Sequence, residues 1–350
     1  DIRVQRIAKA HASLSSYAMN EAQIFSLHLV TTTPLGYRPD FFASLAEQRE
    51  RQFQLVVVDH SPQGGELKDV HATALDIVHL RTFRQTGYAR GHNQAIAFAL
   101  QRWPRECWAD RLVMITRAEV AFDPRCLEVI AQAFQEDPSL MIAGPKILLA
   151  EATAPPDGDW VEMRMTRKIY DIGYDCGKNR VLRFRQANEE DQDVSRPTSE
   201  VFGVSEPCVV IRASALELLR DEAEQWLDEA LPRGSEIVDL CWRAHKLGLK
   251  VAVLPEACLW FSPAEVREQP PARRRVYLSG PVREKNDQSM LEVIHFPWVF
   301  WSMVRSAAFL LTHPSRLAER VRIWYAWQRS PSRTSRSTVA FGDMRRWFLS

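Results

Sequence analysis

Residues 53–61 read FQLVVVDHS, a β-branched run that breaks off at an acid. The run predicts a strand over 53–58, and Asp59 at its carboxyl end is where an open α/β sheet presents polar groups to a ligand. The same arrangement recurs on either side. Upstream, IFSLHLVT at 24–31 reads as a first strand closed by Thr33-Pro34-Leu35-Gly36, and Asp40 can cap a helix that runs to about Glu50. Downstream come a short strand at 77–80, a helix at 91–101, a strand at 111–116 and a helix opened by Asp123-Pro124. A buried-looking strand at 140–143 is followed by Gly144-Pro145. Further on, 208–211 and 250–254 read as strands, the second ending at Pro255, with helices at 214–220 and 236–245. Strands alternating with helices predict an α/β fold built on a doubly wound, mostly parallel sheet. Residues 151–200 are polar, acidic at Glu189-Glu190-Asp191 and poorly periodic, which reads as an insertion or flap.

With 350 residues, 46% of them apolar, the chain has ample material for a core, and disorder is not its default state. The formal net charge of +1 conceals an asymmetry. Residues 315–350 carry eight Arg against Glu319 and Asp343, a local +6 that leaves −5 for the remainder. The six cysteines (Cys107, Cys126, Cys176, Cys208, Cys241, Cys258) stand singly, with no CxxC and no Cys/His ligand spacing. This argues against a zinc site or disulfide framework and for a reducing compartment. No charged-then-apolar leader follows Asp1, so a cytoplasmic location is expected.

The polar residues just past the strands form one candidate ligand face. They are Thr31 and Thr33, then Asp59-His60-Ser61, then Arg84 and the loop Gly87-Tyr88-Ala89-Arg90-Gly91-His92-Asn93, then Arg117-Ala118-Glu119. An acid at a strand end can accept hydrogen bonds from a base or ribose, and Gly-rich backbone opening a helix favours a diphosphate. Each residue taken singly has an ordinary structural use as well, Asp59 and Asn93 as turn caps and the glycines as relief of backbone strain. Their joint order carries the weight.

That order resembles the consecutive motifs of family 2 glycosyltransferases, which share the GT-A fold. Residues 25–33 with Ser44-Leu45-Ala46-Glu47-Gln48 look like the family's first strand and helix, and Val56-Val57-Val58-Asp59-His60-Ser61 like its acidic strand end. The segment Thr86-Gly87-Tyr88-Ala89-Arg90-Gly91-His92-Asn93-Gln94-Ala95-Ile96 is the most specific match. Residues 111–124 resemble the strand that carries the acidic metal motif, and Ala143-Gly144-Pro145-Lys146-Ile147 the strand after it. Val209-Val210-Ile211-Arg212, Leu227-Asp228-Glu229 and residues 236–244 resemble the closing stations. The likeness spans residues 24–262. It implies a domain at 23–265 that binds a nucleotide sugar, flanked by an extension at 1–22, a helical region at 266–329 and a basic tail at 330–350.

The resemblance implies a glycosyltransferase moving a sugar from a nucleoside-diphosphate donor to a glycan or lipid-linked acceptor hydroxyl, with inversion, in surface polysaccharide or related glycan synthesis. Binding of the donor would fall to Thr31, Thr33, Asp59, Arg84, Gly87, Arg90, Asn93, Arg117 and Glu119. Such enzymes use a divalent cation held by acids and a carboxylate general base. Here the metal tripeptide is Arg117-Ala118-Glu119. Glu119 with the ligand's phosphates could hold Mg or Mn, or Arg117 could meet the diphosphate directly, which is the favoured reading. The family's base position is Ile237, so Glu236 or Asp239, three apart on one helix face, would have to substitute. Phe261 stands where the family often has His. These departures also admit a catalytically inactive relative that binds nucleotide sugar or assembles with a protein partner.

Residues 290–311 are rich in Trp and Phe but contain Glu292, Pro297 and Arg305, and residues 316–327 set Arg316, Arg320 and Arg322 beside Leu317, Val321, Ile323 and Trp324. This pattern suits an amphipathic surface element better than a spanning helix and gives an expectation of peripheral association with an anionic inner membrane face through 290–350. Nucleic acid is not an expected partner, since the Arg residues are confined to the tail and no nucleic-acid-binding fold accompanies them.

Overall fold

The computed structural model describes residues 23–31, 38–60, 75–82, 87–153, 162–177, 181–192, 196–221, 224–231 and 234–263, with the backbone of 275–277. In chain order the elements are β1 (Phe25–Thr31), α1 (Pro39–Ala46), β2 (Phe53–Asp59), β3 (Ile77–Arg81), α2 (Tyr88–Arg102), β4 (Leu112–Thr116), β5 (Val120–Phe122), α3 (Cys126–Glu136) and β6 (Leu140–Thr153). There follow β7 (Glu162–Asp171), β8 (Tyr174–Cys176), β9 (Val181–Phe184), β10 (Ser199–Glu200), β11 (Cys208–Arg212), α4 (Ala213–Leu219), α5 (Glu236–Lys246), β12 (Lys250–Phe261) and β13 (Arg275–Tyr277).

One ten-stranded sheet runs in the order β10-β12-β6-β11-β4-β1-β2-β3, with β5 on β12 and β7 on β6. β1, β2, β3 and β4 pair in parallel, and so do β6 and β12. β11 runs antiparallel to both β4 and β6 and joins the two parallel blocks. The expected doubly wound, mostly parallel sheet is therefore present. Alternate residues of β1 show why it is two-sided. Phe25, Leu27 and Leu29 pack with Phe41 and Leu45 of α1 and with Leu127, Ile130 and Phe134 of α3. On the opposite face Val113, Ile115, Val209 and Ile211 pack with Ile96, Leu216, Leu240 and Ala244 of α2, α4 and α5. Burying both faces of a sheet under helices requires apolar residues at nearly every strand position, and β2 is buried throughout.

Three boundaries differ from expectation for identifiable reasons. β6 continues through Gly144-Pro145 to Thr153, and β12 continues past Pro255 to Phe261. The ladder between them shifts register between Leu254 and Cys258, so Pro255 falls where no N–H is demanded. α2 starts at Tyr88, earlier than 91, because Gly87 at φ 86° supplies the left-handed entry to its first turn. Much of the described part of 151–200 is strand: β7 extends the large sheet, while β8, β9 and β13 form a three-stranded one. β13 pairs antiparallel with β9, so the helical character expected from residue 266 does not hold at 275–277.

Candidate active site

The ligand face is built at the carboxyl ends of β1, β2 and β4 and, less obviously, at the amino end of β11. The antiparallel register sets Cys208 opposite Thr116, and the Thr116 hydroxyl donates to the Pro207 carbonyl at 3.2 Å. The residues just beyond, Arg117 and Glu206, therefore meet. Arg117 Nε lies 3.2 Å from Glu119 Oε2, and its Nη1 lies 3.6 Å from Glu206 Oε1. The guanidinium sits 5.5 Å from the centre of the Phe261 ring at the end of β12, and the Ser262 N–H donates to the Glu119 carbonyl at 2.9 Å. The end of β12 thus backs the tripeptide, with a ring face for the cation.

Burial works against both charges here, and pairing wins. Desolvation would lower the Arg117 pKa, but Glu119 and Glu206 raise it above the ordinary value, with Tyr88 adding to the effect. Desolvation would likewise raise Glu119, but Arg117, and more weakly Arg38, hold its carboxyl below the usual range. Arg38, just before α1, is a site neighbour that sequence reading did not single out.

Glu236 opens α5 and is 2% exposed. Burial pushes its carboxyl up to about 7, opposed by backbone N–H groups of its own turn and reinforced by Glu206. Its Oε2 has no hydrogen-bond partner among the described residues. One position on, Ile237 points the other way, into the apolar layer formed with β11 and β12. Asp239, one turn on, has a cation for a partner. It is fully buried, its Oδ2 accepts from Arg243 Nε at 2.8 Å, and Arg243 reaches on to the Leu219 and Trp226 carbonyls. Through Arg243, Asp239 serves as a strut for the loop before α5.

The nucleotide-side residues divide in the same way. Asp59, 1% exposed, takes a contact from His79 Nε2 at 3.2 Å, and the following His60 N–H donates to the Thr31 carbonyl at 2.8 Å. Thr31 itself is buried at the end of β1. Gly91 packs so tightly that a Cβ there would stand 2.8 Å from the Val30 methyls. Arg90 is exposed on the outer side of the first turn of α2. Asn93 is turned inward: its Oδ1 accepts from the Trp226 and Leu227 N–H groups at 3.1 and 2.9 Å, and its Nδ2 donates to the Leu227 carbonyl at 2.8 Å. It holds the loop leading to α5 from one side while Arg243 holds it from the other. Thr33 and Arg84 lie outside the described residues.

The donor set does not suit a divalent cation. Glu119 and Glu206 both face a guanidinium, which competes with a divalent cation for their oxygens, and among the described residues no group of three or more His, Cys, Asp or Glu side chains could hold a metal ion by protein ligands alone. Glu206 is not among the polar residues that follow the carboxyl ends of the strands, because it precedes β11. An antiparallel strand brings its amino end to the same face, and the approach to β11 was the signal available.

The fold is that shared by GT-A glycosyltransferases. Among solved structures, the chain is similar to GalNAc-T7, crystallised with UDP, GalNAc and Mn2+, at a TM-score of 0.56 and 12% identity, over 84% of this chain and 52% of that one. The chain thus spans about half the length of that protein. It is also similar to residues 1–349 of S. aureus TarS, in complex with UDP at a TM-score of 0.45 and with UDP-GlcNAc at 0.44, each at 16% identity. Those matches cover 68% and 69% of this chain and 60% and 59% of TarS 1–349. No family model matches the chain, and no curated protein matches it in sequence.

Proposed function

We propose that the chain is a family 2-type glycosyltransferase that moves a sugar from a nucleoside-diphosphate donor to an acceptor hydroxyl, with Glu236 as general base and Arg117 as a fixed cation for the departing diphosphate. The observation that carries this is a guanidinium held in place by Glu119 and Glu206 beyond β4, with Glu206 also the charge neighbouring the buried Glu236 carboxyl, which burial pushes up to about 7. A base poised near the working pH takes a proton efficiently, and a preorganised cation stabilises charge where it develops. In the step, the acceptor oxygen attacks the anomeric carbon, the bond to the diphosphate breaks with its electron pair leaving on phosphate oxygen, and Glu236 takes the acceptor proton. The anomeric centre inverts. Arg117 bonded to phosphate oxygens does what a divalent ion does elsewhere, so the reaction proceeds without one.

The acceptor in this reading is a glycan or lipid-linked glycan of a surface polysaccharide, and the basic 290–350 region places the protein peripherally on an anionic inner membrane face. Among the described residues no helix is long and apolar enough to cross a membrane. The test is transfer and donor hydrolysis across a panel of nucleotide sugars, with and without chelator. Transfer that persists in chelator and falls at least a hundredfold in Glu236→Gln supports the proposal. A second reading, binding without transfer, is favoured by one observation: Ile237, at the family's base position, is fully core. Nucleotide binding with no turnover of any donor would select it.

A further inference from the structure

Glu206 belongs to no motif, yet it touches both halves of the site. Its Oε1 faces Arg117 Nη1 at 3.6 Å. Its Oε2 lies against the turn into α5, where a Cβ on Gly234 would stand 3.4 Å from it, and Gly234 holds that approach open at φ 84°. Two residues on is Glu236, whose buried carboxyl feels Glu206 as its neighbouring charge. One carboxylate thus stands between a cation that an incoming anion would claim and an acid that can hold a proton.

We propose that Glu206 is a positioning residue that couples Arg117 to Glu236: it shares Arg117 with Glu119 in the ligand-free protein, and when an anion takes the guanidinium, the charge left uncompensated on Glu206 draws a proton onto Glu236. The groups facing this relay are Glu119, Glu206 and Tyr88 on Arg117, Arg38 on Glu119, and Glu206 with the backbone N–H groups of 234–236 on Glu236. Leaving one charge of an ion pair uncompensated inside a protein moves a neighbouring acid by about one pH unit or more. The proton has a defined origin in each case. It comes from solvent when a diphosphate binds alone, and from the acceptor hydroxyl during transfer, so negative charge reaches Arg117 as the proton reaches Glu236. Release of the diphosphate is then linked to release of that proton, since such coupling is reciprocal.

The inference rests on the glycosyltransferase reading only for the nature of the anion, and two measurements keep them apart. In the first, inorganic pyrophosphate and UDP are titrated calorimetrically into the full chain near pH 7 in two buffers of different ionisation enthalpy. Uptake of a substantial fraction of a proton per ligand, abolished in both Glu206→Gln and Glu236→Gln, is expected; ligand binding without uptake, or uptake unchanged in Glu206→Gln, overturns the coupling and leaves the transferase reading intact. The second needs no ligand. With glutamate carboxyl carbons labelled for NMR, the resonance missing in Glu236→Gln should titrate about one pH unit higher in Arg117→Gln than in the parent, and return in the double variant Arg117→Gln, Glu206→Gln. A midpoint that does not move in Arg117→Gln overturns the proposal even if nucleotides bind, and one that moves supports it even if none does.

Discussion

At the scale of single residues, Glu236 links stability to pH in a direction opposite to most carboxylates. Its folded-state value of about 7 lies above the ordinary 4.5. Below 4.5 both states hold the proton and folding loses nothing; between 4.5 and 7 the unfolded chain gives up its proton while the folded one keeps it, so stability falls by up to about 3 kcal/mol and then levels off. Glu236→Gln fixes the neutral form, so its melting temperature should exceed the parent's at pH 8 and match it near pH 4, while the parent's transfer rate rises with pH through about 7. Equal melting at pH 8 would contradict the burial argument. Asn93 tests the opposite kind of residue, one with a motif's identity and a strut's contacts. Asn93→Asp keeps the acceptor for the Trp226 and Leu227 N–H groups but removes the donor to the Leu227 carbonyl and sets a carboxylate beside Glu229, which lies 3.4 Å from Nδ2. Urea unfolding should show a loss of about 2 kcal/mol, with UDP affinity of the folded protein changed less than threefold. A tenfold loss of affinity at unchanged stability would instead put Asn93 in contact with the ligand.

At the scale of elements, one side chain joins the two parallel blocks where β11 crosses between them. Arg212 Nε donates to the Leu140 carbonyl at 2.9 Å, Nη2 to Phe134 and Asp137 at 2.7 and 3.0 Å, and Nη1 to Ala109. It closes the carboxyl end of α3 and fixes the starts of β4 and β6 relative to one another. Arg212→Leu leaves these carbonyls without their donor and should cost about 3–5 kcal/mol in chemical denaturation, and Arg212→Lys should recover only part, because one ammonium cannot span the fork. The same elements show what was legible beforehand. Strand cores and the order of strands and helices could be read because β-branched runs such as 53–58 have no other economical use. The lengths of β6 and β12 could not, since Pro145 and Pro255 look like stops until the shifted ladder between the two strands is known. In the site, Arg117 and Glu236 were legible because each sits beside a recognisable station, one past β4 and the other at the start of α5. Glu206 depends on β11 running antiparallel to β4, a pairing of residues more than ninety positions apart that no local pattern encodes.

At the scale of the whole molecule, charge is distributed against the expected partners in a usable way. Residues 1–314 carry a net −5 and residues 315–350 a net +6. A near-neutral total therefore gives no general attraction to an anionic surface, and any attraction must be local to the tail. At roughly 1 kcal/mol per basic residue near an anionic leaflet, eight arginines against two acids are enough for reversible docking, and the attraction should fade as salt shortens the screening length. Flotation with vesicles containing phosphatidylserine should recover the full chain at low ionic strength and not at high, with little recovery on neutral vesicles. Deleting 315–350 should abolish recovery while leaving donor hydrolysis intact, because Arg117, Glu206 and Glu236 all lie on the sheet domain. Equal recovery of the truncated chain would move the membrane contact out of the tail. Salt-insensitive recovery of the full chain would mean that the aromatic residues of 290–327, rather than the arginines, provide the attachment.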